Sequence, residues 1–309
     1  MTFRVTHPIC GLYSIVRIAS RPSGLGVAGT GGRGRVAPGM DRLFIYMTIA
    51  VYLLSQVFYL RFLYTGKAMN GRLGTIFLAC GLALHYFALL ERSVGLNKVP
   101  YHDLYGAMSL FAWLLALTYL GLELFHRQRT VGAFVVPIIL VFFMAAHLAP
   151  ADRMPGPKAQ GVAFAFHVTL SILAYAAFAL SCVMSLMFLA EERLLRSRRF
   201  GGMVWRLPPL DLLERMSRSS VLVGLVSIAI GMSLGFLQVD RLMGQVWHYD
   251  PKYAVTLIVL ILYIAYFFLA RRTAWRGARA SKLCVFNFVI VIFSFTVVNL
   301  FLSHSHRFF

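Results

Sequence analysis

Residues 162–190 read VAFAFHVTLSILAYAAFALSCVMSLMFLA, a run without one Asp, Glu, Lys or Arg that ends at Glu191-Glu192-Arg193. About 20 apolar residues suffice to cross the hydrocarbon core of a bilayer as a helix. This run therefore spans, with length left over to extend beyond the membrane. It is continuous rather than alternating, which excludes a barrel strand.

Seven more stretches follow the same pattern, near 43–60, 73–90, 104–125, 131–149, 220–239, 253–270 and 283–302. The expected fold is an all-α, polytopic integral membrane helical bundle of about eight transmembrane helices. Composition agrees: 59% of the 309 residues are hydrophobic and only 13% are charged, about half the usual charged share of a soluble domain. A cytosolic enzyme, a disulfide-stapled secreted module and a disordered chain are all excluded. The spans are expected to be nearly free of Asp, Glu, Lys and Arg, which weakens a proton-pump or ion-coupled transporter reading.

The net charge of +19 comes from 30 Lys+Arg against 11 Asp+Glu. In a soluble chain it would point to nucleic acid. Here it orients the bundle. The loops after spans 1, 3, 5 and 7 carry 17 basic residues, including Arg215, Arg218, Arg271 and Arg276, against eight on the other side. The positive-inside rule places the first set in the cytoplasm and both ends of the bundle outside. Nucleic acid is not an expected partner; the lipid bilayer is. Residues 1–40 hold five arginines and no acidic residue. They read as a basic, Gly/Arg-rich, disordered tail before a membrane domain over 41–309. The tail is either an extension upstream of a start at Met40 or a targeting segment, though it lacks a clean apolar core and cleavage site. The stretch Leu210–Met216 is amphipathic and is expected to lie along the membrane surface. The segment Tyr101-His102-Asp103-Leu104-Tyr105 reads as an interfacial cap opening span 3, with a partner contact as the alternative.

Histidine is the ionisable residue that the spans do carry. His85 falls in span 2, His147 near the outer end of span 4 and His167 near the outer start of span 5. His102 and His248 sit in outward loops, and His304 and His306 follow span 8. A single intramembrane histidine is more often a hydrogen-bonding core residue than a ligand. Gathered at one face, neutral imidazoles suit haem iron. No H-x-x-H or H-E-x-x-H pair supports a helix-borne zinc site. Without C-x-x-C-H the chain is not itself a c-type cytochrome. The outward loop before span 7 combines Gly244, Trp247, His248, Tyr249, Asp250, Pro251 and Lys252. Asp250 suits an N-cap, Pro251 the first helical position, and the two aromatics an interfacial belt.

The segment Gly244-Gln-Val-Trp247-His248-Tyr249-Asp250-Pro251-Lys252 resembles the tryptophan-rich WWD signature of the cytochrome c assembly family. The resemblance covers about 70–309. His85 resembles that family's intramembrane histidine, and Phe166-His167 through Tyr175 the segment bearing its first external histidine. The ending Val298-Asn299-Leu300 to Ser303-His304-Ser305-His306 resembles the segment with the second. From Asn299, His306 is the better match, and His304 replaces a residue that is usually glycine.

Members of this length, the CcsA or ResC type, take haem through the membrane and present it outside to apocytochrome c, with a CcsB- or ResB-type membrane subunit. The resemblance thus implies an assembly factor or a part of a haem ligase in the inner (plasma) membrane, with haem b as the transported or presented substrate. It implies axial nitrogens from His167 and His306, haem in transit on His85, and a platform of Trp247, Tyr249 and Asp250 flanked by His248 and His304. Several positions depart from the pattern. Met243 and Tyr249 stand where tryptophans are usual, and Tyr253-Ala254-Val255 replace the customary Glu-Thr-Trp. The second intramembrane histidine is replaced, most nearly by Phe268. The related HemX-like branch and a b-type electron-transfer cytochrome are the competing readings. The latter needs paired histidines facing each other in mid-membrane, and only His85 qualifies.

Overall fold

The computed structural model describes residues 40–96, 103–148, 161–197, 207–243 and 251–297. Among the described residues there are eight long helices and no strand: α1 (Met40–Thr65), α2 (Ala68–Leu96), α3 (Leu104–His126), α4 (Gly132–Leu148), α5 (Val162–Arg196), α6 (Leu210–Met243), α7 (Pro251–Leu269) and α8 (Ala278–Val297). Each coincides with one of the eight apolar runs. Five of them, α1, α2, α3, α5 and α6, are long and apolar enough to cross a membrane by length and composition. The apolar helices α4 and α7 are shorter, and α8 carries Arg279 and Lys282 in its first turns. The surface agrees with the composition: Leu54, Ile76, Val141, Leu186, Ile261 and Phe293 remain exposed on the bundle's flanks, where lipid chains cover them. The fold is a helical membrane bundle.

Two apolar clusters share α5. One collects Tyr52, Leu78, Leu115, Ile139 and Phe143 of α1–α4 around Leu180 and Met184. The other joins Phe178 to Val221, Tyr263, Tyr266 and Cys284 of α6–α8. Phe178 and Tyr263 stack at 3.7 Å with their planes 7° apart. Small residues make this central position possible, because Ala174, Ala176, Ala177, Ser181 and Ser185 are all buried and let neighbouring backbones approach. Hydroxyls fill the seam. Ser181 Oγ meets Ser217 Oγ at 2.9 Å and Cys284 Sγ at 2.9 Å. Ser217 Oγ also meets Ser185 Oγ and Tyr266 Oη, each at 3.2 Å. Ser220 Oγ donates to the Ala177 carbonyl at 2.7 Å. Four helices are thereby tied at one level, since hydrocarbon offers no water as an alternative partner.

At α6 the structure departs from the sequence expectation. Leu210–Met216 is not a separate surface helix. It forms the first two turns of α6, with Leu213 and Met216 fully buried in the core beside Leu180 and Met184. An amphipathic pattern has the same period whether its apolar face meets lipid or protein. Pro208-Pro209 start the helix, with Leu212 N bonded to the Pro209 carbonyl at 2.8 Å. Nothing between Met216 and Ser220 breaks it. The expected cap of α3 is present: Asp103 accepts from Gly106 N at 2.8 Å.

Replacing Ser217 with valine removes the hub's hydroxyl and crowds a closed seam. We expect a loss of about 1–3 kcal/mol in reversible SDS unfolding. Ser233→Ala, on an exposed hydroxyl that bonds only within its own helix, should leave the midpoint unchanged.

Candidate functional site

His167 lies one turn into α5, half-buried against α6. Its Nδ1 is 2.6 Å from the Gly231 carbonyl. A carbonyl only accepts, so Nδ1 must carry the proton and the neutral ring keeps its lone pair on Nε2. That is the tautomer a metal ligand requires, with the second nitrogen oriented by a backbone acceptor. One turn further along α6, Gly235 makes room for the ring. A Cβ there would stand 2.6 Å from His167 Cε1 and 2.7 Å from Nδ1.

The helix register shows what else reaches this level. Ser181 meets Cys284 and Phe188 approaches Gly277, so α8 runs antiparallel to α5. From that contact His167 lies about 21 Å along α5, and the end of α8 at Val297 about 20 Å along its own axis. Ser217 pairs with Ser181 and Gly231 with His167, so α6 also rises toward His167 and ends beyond it at Met243. α7 starts from the same end with Pro251 at its first position, as expected. The helices that flank the tryptophan loop and precede the terminal histidines therefore open at the end of the bundle that holds His167. Trp247, His248, Tyr249, Asp250, His304 and His306 themselves lie outside the described residues, as does His102.

His85 occupies a different setting. It is fully buried among α1–α4, with Nδ1 3.3 Å from Tyr52 Oη and Nε2 3.0 Å from Ser109 Oγ. Both nitrogens are engaged by hydroxyls, and the Phe143 ring lies 4.3 Å away. Tyr52 in turn crosses α2 at Gly81, where a Cβ would come within 2.5 Å of its ring. On the far side of Phe143, at 4.7 Å, stands the His147 ring. His147 Nε2 meets Tyr105 Oη at 2.9 Å and its Nδ1 meets the Phe143 carbonyl at 2.7 Å. Arg92 stacks on Tyr105, its Cζ 3.5 Å from the ring centroid, and forms an ion pair with Asp103. The polar chain from Asp103 through Arg92 and Tyr105 thus ends at His147, and the Phe143 ring separates it from His85.

Phe268 is 61% exposed and one residue from the end of α7. It therefore lies at the opposite end from His167 and outside the bundle interior. The inward residues of α7 are Val259, Tyr263 and Tyr266, and none of them meets the His85 cluster.

A family comparison completes the picture. The family described as "Cytochrome C assembly protein" matches residues 101–306. The chain belongs to the cytochrome c assembly family. Among curated relatives, it is 26% identical to "Protein HemX" of Brevibacillus brevis, covering 81% of this chain and 92% of that protein. It is 23% identical to "Cytochrome c biogenesis protein CcsA" of Gloeobacter violaceus, covering 71% and 81%. The protein of the same name from Chlorella vulgaris is 21% identical, covering 82% and 90%. This family assignment supports a role in cytochrome c biogenesis for a multi-pass membrane protein.

The sequence reading missed one intramembrane carboxylate. Glu123, in the last turn of α3, is 1% exposed. It accepts from Tyr59 Oη at 2.6 Å and from Thr75 Oγ1, and lies 3.9 Å from Arg129 Nε. The spans are nearly free of Asp, Glu, Lys and Arg, as expected, and Glu123 is the exception. Glu123 is the acidic residue inside the run 104–125, and a window average over that run hides it. Its partners come from α1, α2 and the α3–α4 connection, so it ties helices together at the arginine-rich end.

Nitrogen NMR on histidine-labelled protein in nanodiscs should show His167 as the Nδ1–H tautomer, with Nε2 unprotonated. Gly235→Ala should abolish that preference by displacing the ring. An unchanged His167 signal in Gly235→Ala would contradict the packing described.

Proposed function

We propose that this member of the cytochrome c assembly family carries haem to the outer face of the inner membrane and presents it there for attachment to apocytochrome c. The observation that supports the reading is the His167 imidazole. Its Nδ1 is held on the Gly231 carbonyl, and its Nε2 is left as the coordinating nitrogen at the end of the bundle where the tryptophan loop and the terminal histidines begin.

In this proposal the arginine-rich end faces the cytoplasm and both ends of the bundle lie outside, as the excess of basic residues in the connections favours. Haem b is the substrate. His167 and His306 supply its axial nitrogens. Trp247 and Tyr249 give the flat macrocycle an apolar rest, with Asp250, His248 and His304 beside it. A CcsB- or ResB-type subunit completes the ligase. Haem held at an open edge keeps its vinyl groups within reach of the cysteine thiols of a C-x-x-C-H segment. His85 is a transit position that opens only if Ser109 or Tyr52 gives up its hydrogen bond. That closure argues against a resident b-type cytochrome, which needs two facing nitrogens free for iron.

The match to Protein HemX over 92% of its length favours a second reading, a part in haem metabolism without direct presentation to apocytochrome c. The two readings separate on one experiment. In a strain lacking the chromosomal copy, His167→Ala and His306→Ala are each expected to abolish c-type cytochromes in haem-stained gels. The purified variants should lose the Soret band of substoichiometric haem. Normal cytochromes in both variants would overturn the presentation role. Lost cytochromes with restored maturation on adding haem precursors would favour the second reading.

A further inference from the structure

A cavity of about 480 Å³ opens at the arginine-rich end of the bundle, between the last turn of α3, the first turns of α6 and the last turn of α7. His126, Arg215, Arg218, Arg271, Arg276 and Phe267 line it. It stands at the opposite end from His167, and the proposed presentation step makes no use of it.

Charge bookkeeping around the cavity is uneven. Asp211 lies 2.8 Å from Arg215 and 3.5 Å from Arg276. Glu214 lies 3.2 Å from Arg218 and 3.4 Å from Arg276. Arg218 also donates to the Ala270 carbonyl at 3.3 Å. Among the described residues, Arg271 has no carboxylate at ion-pair distance, and its Cζ rests 4.3 Å over the Phe267 ring. Four guanidinium groups against two carboxylates leave a net charge of +2 beside low-dielectric helix walls, with Arg271 alone lacking a carboxylate and Arg276 sharing both with its neighbours. The rest of the lining is apolar or aromatic, Leu222 and Phe267, with the His126 ring held 3.1 Å from Ser219 Oγ.

We propose that this cavity is a capture site for a planar tetrapyrrole dicarboxylate, the form in which haem reaches the bundle before it moves outward. Two carboxylates answer the net charge of +2, and arginine forks suit that geometry. With Arg271 drawn off the Phe267 ring onto a carboxylate, the flat, apolar ring has Phe267 and the His126 imidazole to lie against. A single phosphate headgroup would satisfy one of the two charges and would leave the aromatic wall without a partner. The proposal rests on the haem-handling reading and adds a second site to it.

The test uses full-length protein in phosphatidylcholine nanodiscs, on a His167→Ala/His306→Ala background that removes the outer ligands. The probe is fluorescent zinc protoporphyrin IX, compared with its dimethyl ester. We expect saturable binding of the diacid, about tenfold weaker binding of the ester, and about tenfold weaker binding of the diacid in Arg271→Gln. Arg271→Lys should restore most of the affinity. Phe267→Leu should weaken both probes. Arg271 is exposed, and its guanidinium rests on Phe267 without an ion pair among the described residues, so its variants should fold; circular dichroism and gel filtration check this. Equal affinity for diacid and ester, or no effect of Arg271→Gln, would overturn the proposal. So would loss of diacid binding on adding phosphatidylglycerol to the nanodiscs, which would assign the cavity to a lipid headgroup. The two readings fail separately. Intact pocket binding with normal cytochromes in His167→Ala sinks the presentation role alone. Unselective pocket binding with cytochromes lost in His167→Ala sinks the capture site alone.

Discussion

The bundle depends on the hydroxyl seam that α5 shares with α6, α7 and α8. Ser181, Ser185 and Ser217 with Tyr266 and Cys284 form a knot of contacts between 2.9 and 3.2 Å. In water such groups would exchange their partners for solvent at little cost. In hydrocarbon an unpaired hydroxyl is expensive, and each bond is satisfied only in one register. The knot therefore does more to fix relative height than to add stability, since interhelical bonds in membranes average well under 1 kcal/mol each. Once α5 and α6 are pinned at Ser181 and Ser217, Gly231 and Gly235 fall opposite His167. Once α8 is pinned at Cys284, its far end arrives level with the same histidine. A slip of one turn in this seam, about 5.4 Å, would put Ser227 or Val239 in the place of one of the two glycines that now face the imidazole.

The two ends of the bundle differ in how they treat charge. At the arginine-rich end, carboxylates are drawn in to meet arginines: Glu214 is nearly buried between Arg218 and Arg276, and Glu123 is closed off beneath Arg129. Exposed pairs of this kind contribute little. Burial of the acidic partner changes the balance, because removing its arginine would strand a charge. At the other end only the Arg92–Asp103 pair plays this part among the described residues, and it is coupled through Tyr105 to His147. An asymmetry that first reads as a rule about topology is thus also a difference in chemistry: most of the guanidinium groups stand at one end with His126, and His147 and His167 lie toward the other.

Most of the fold was legible because membrane helices announce themselves by run length, and all eight runs became helices. What escaped had a physical cause in each case. The periodicity of Leu210–Met216 reports that one face is apolar but not what covers it, and protein covers it here. Glu123 was lost in an otherwise apolar run, and only its partners Tyr59 and Thr75, 64 and 48 residues away in sequence, explain how a carboxylate is tolerated there. The likeness of Phe268 to a missing histidine came from order along the chain. Its outward placement depends on the rotation of α7, which the stacking of Tyr263 on Phe178 sets. The candidate site was legible only in part. Sequence named His167 and His85 alike, and nothing in either neighbourhood predicted their opposite settings.

That contrast is decided by the chemistry of their hydrogen-bond partners. Hydroxyls can donate or accept, so Tyr52 and Ser109 can satisfy His85 in either tautomer and leave neither nitrogen committed to a ligand. A backbone carbonyl has no such freedom. Gly231 can only accept, so it forces the proton of His167 onto Nδ1 and directs the lone pair elsewhere. The carbonyl is within reach only because Gly235, one turn beyond it, contributes no Cβ where the ring must pass. The tautomer of His167 is therefore set partly from α6, by two glycines that carry no chemistry of their own. A histidine in a membrane span is best judged by asking whether its partners can choose a tautomer, before asking how many other histidines lie nearby.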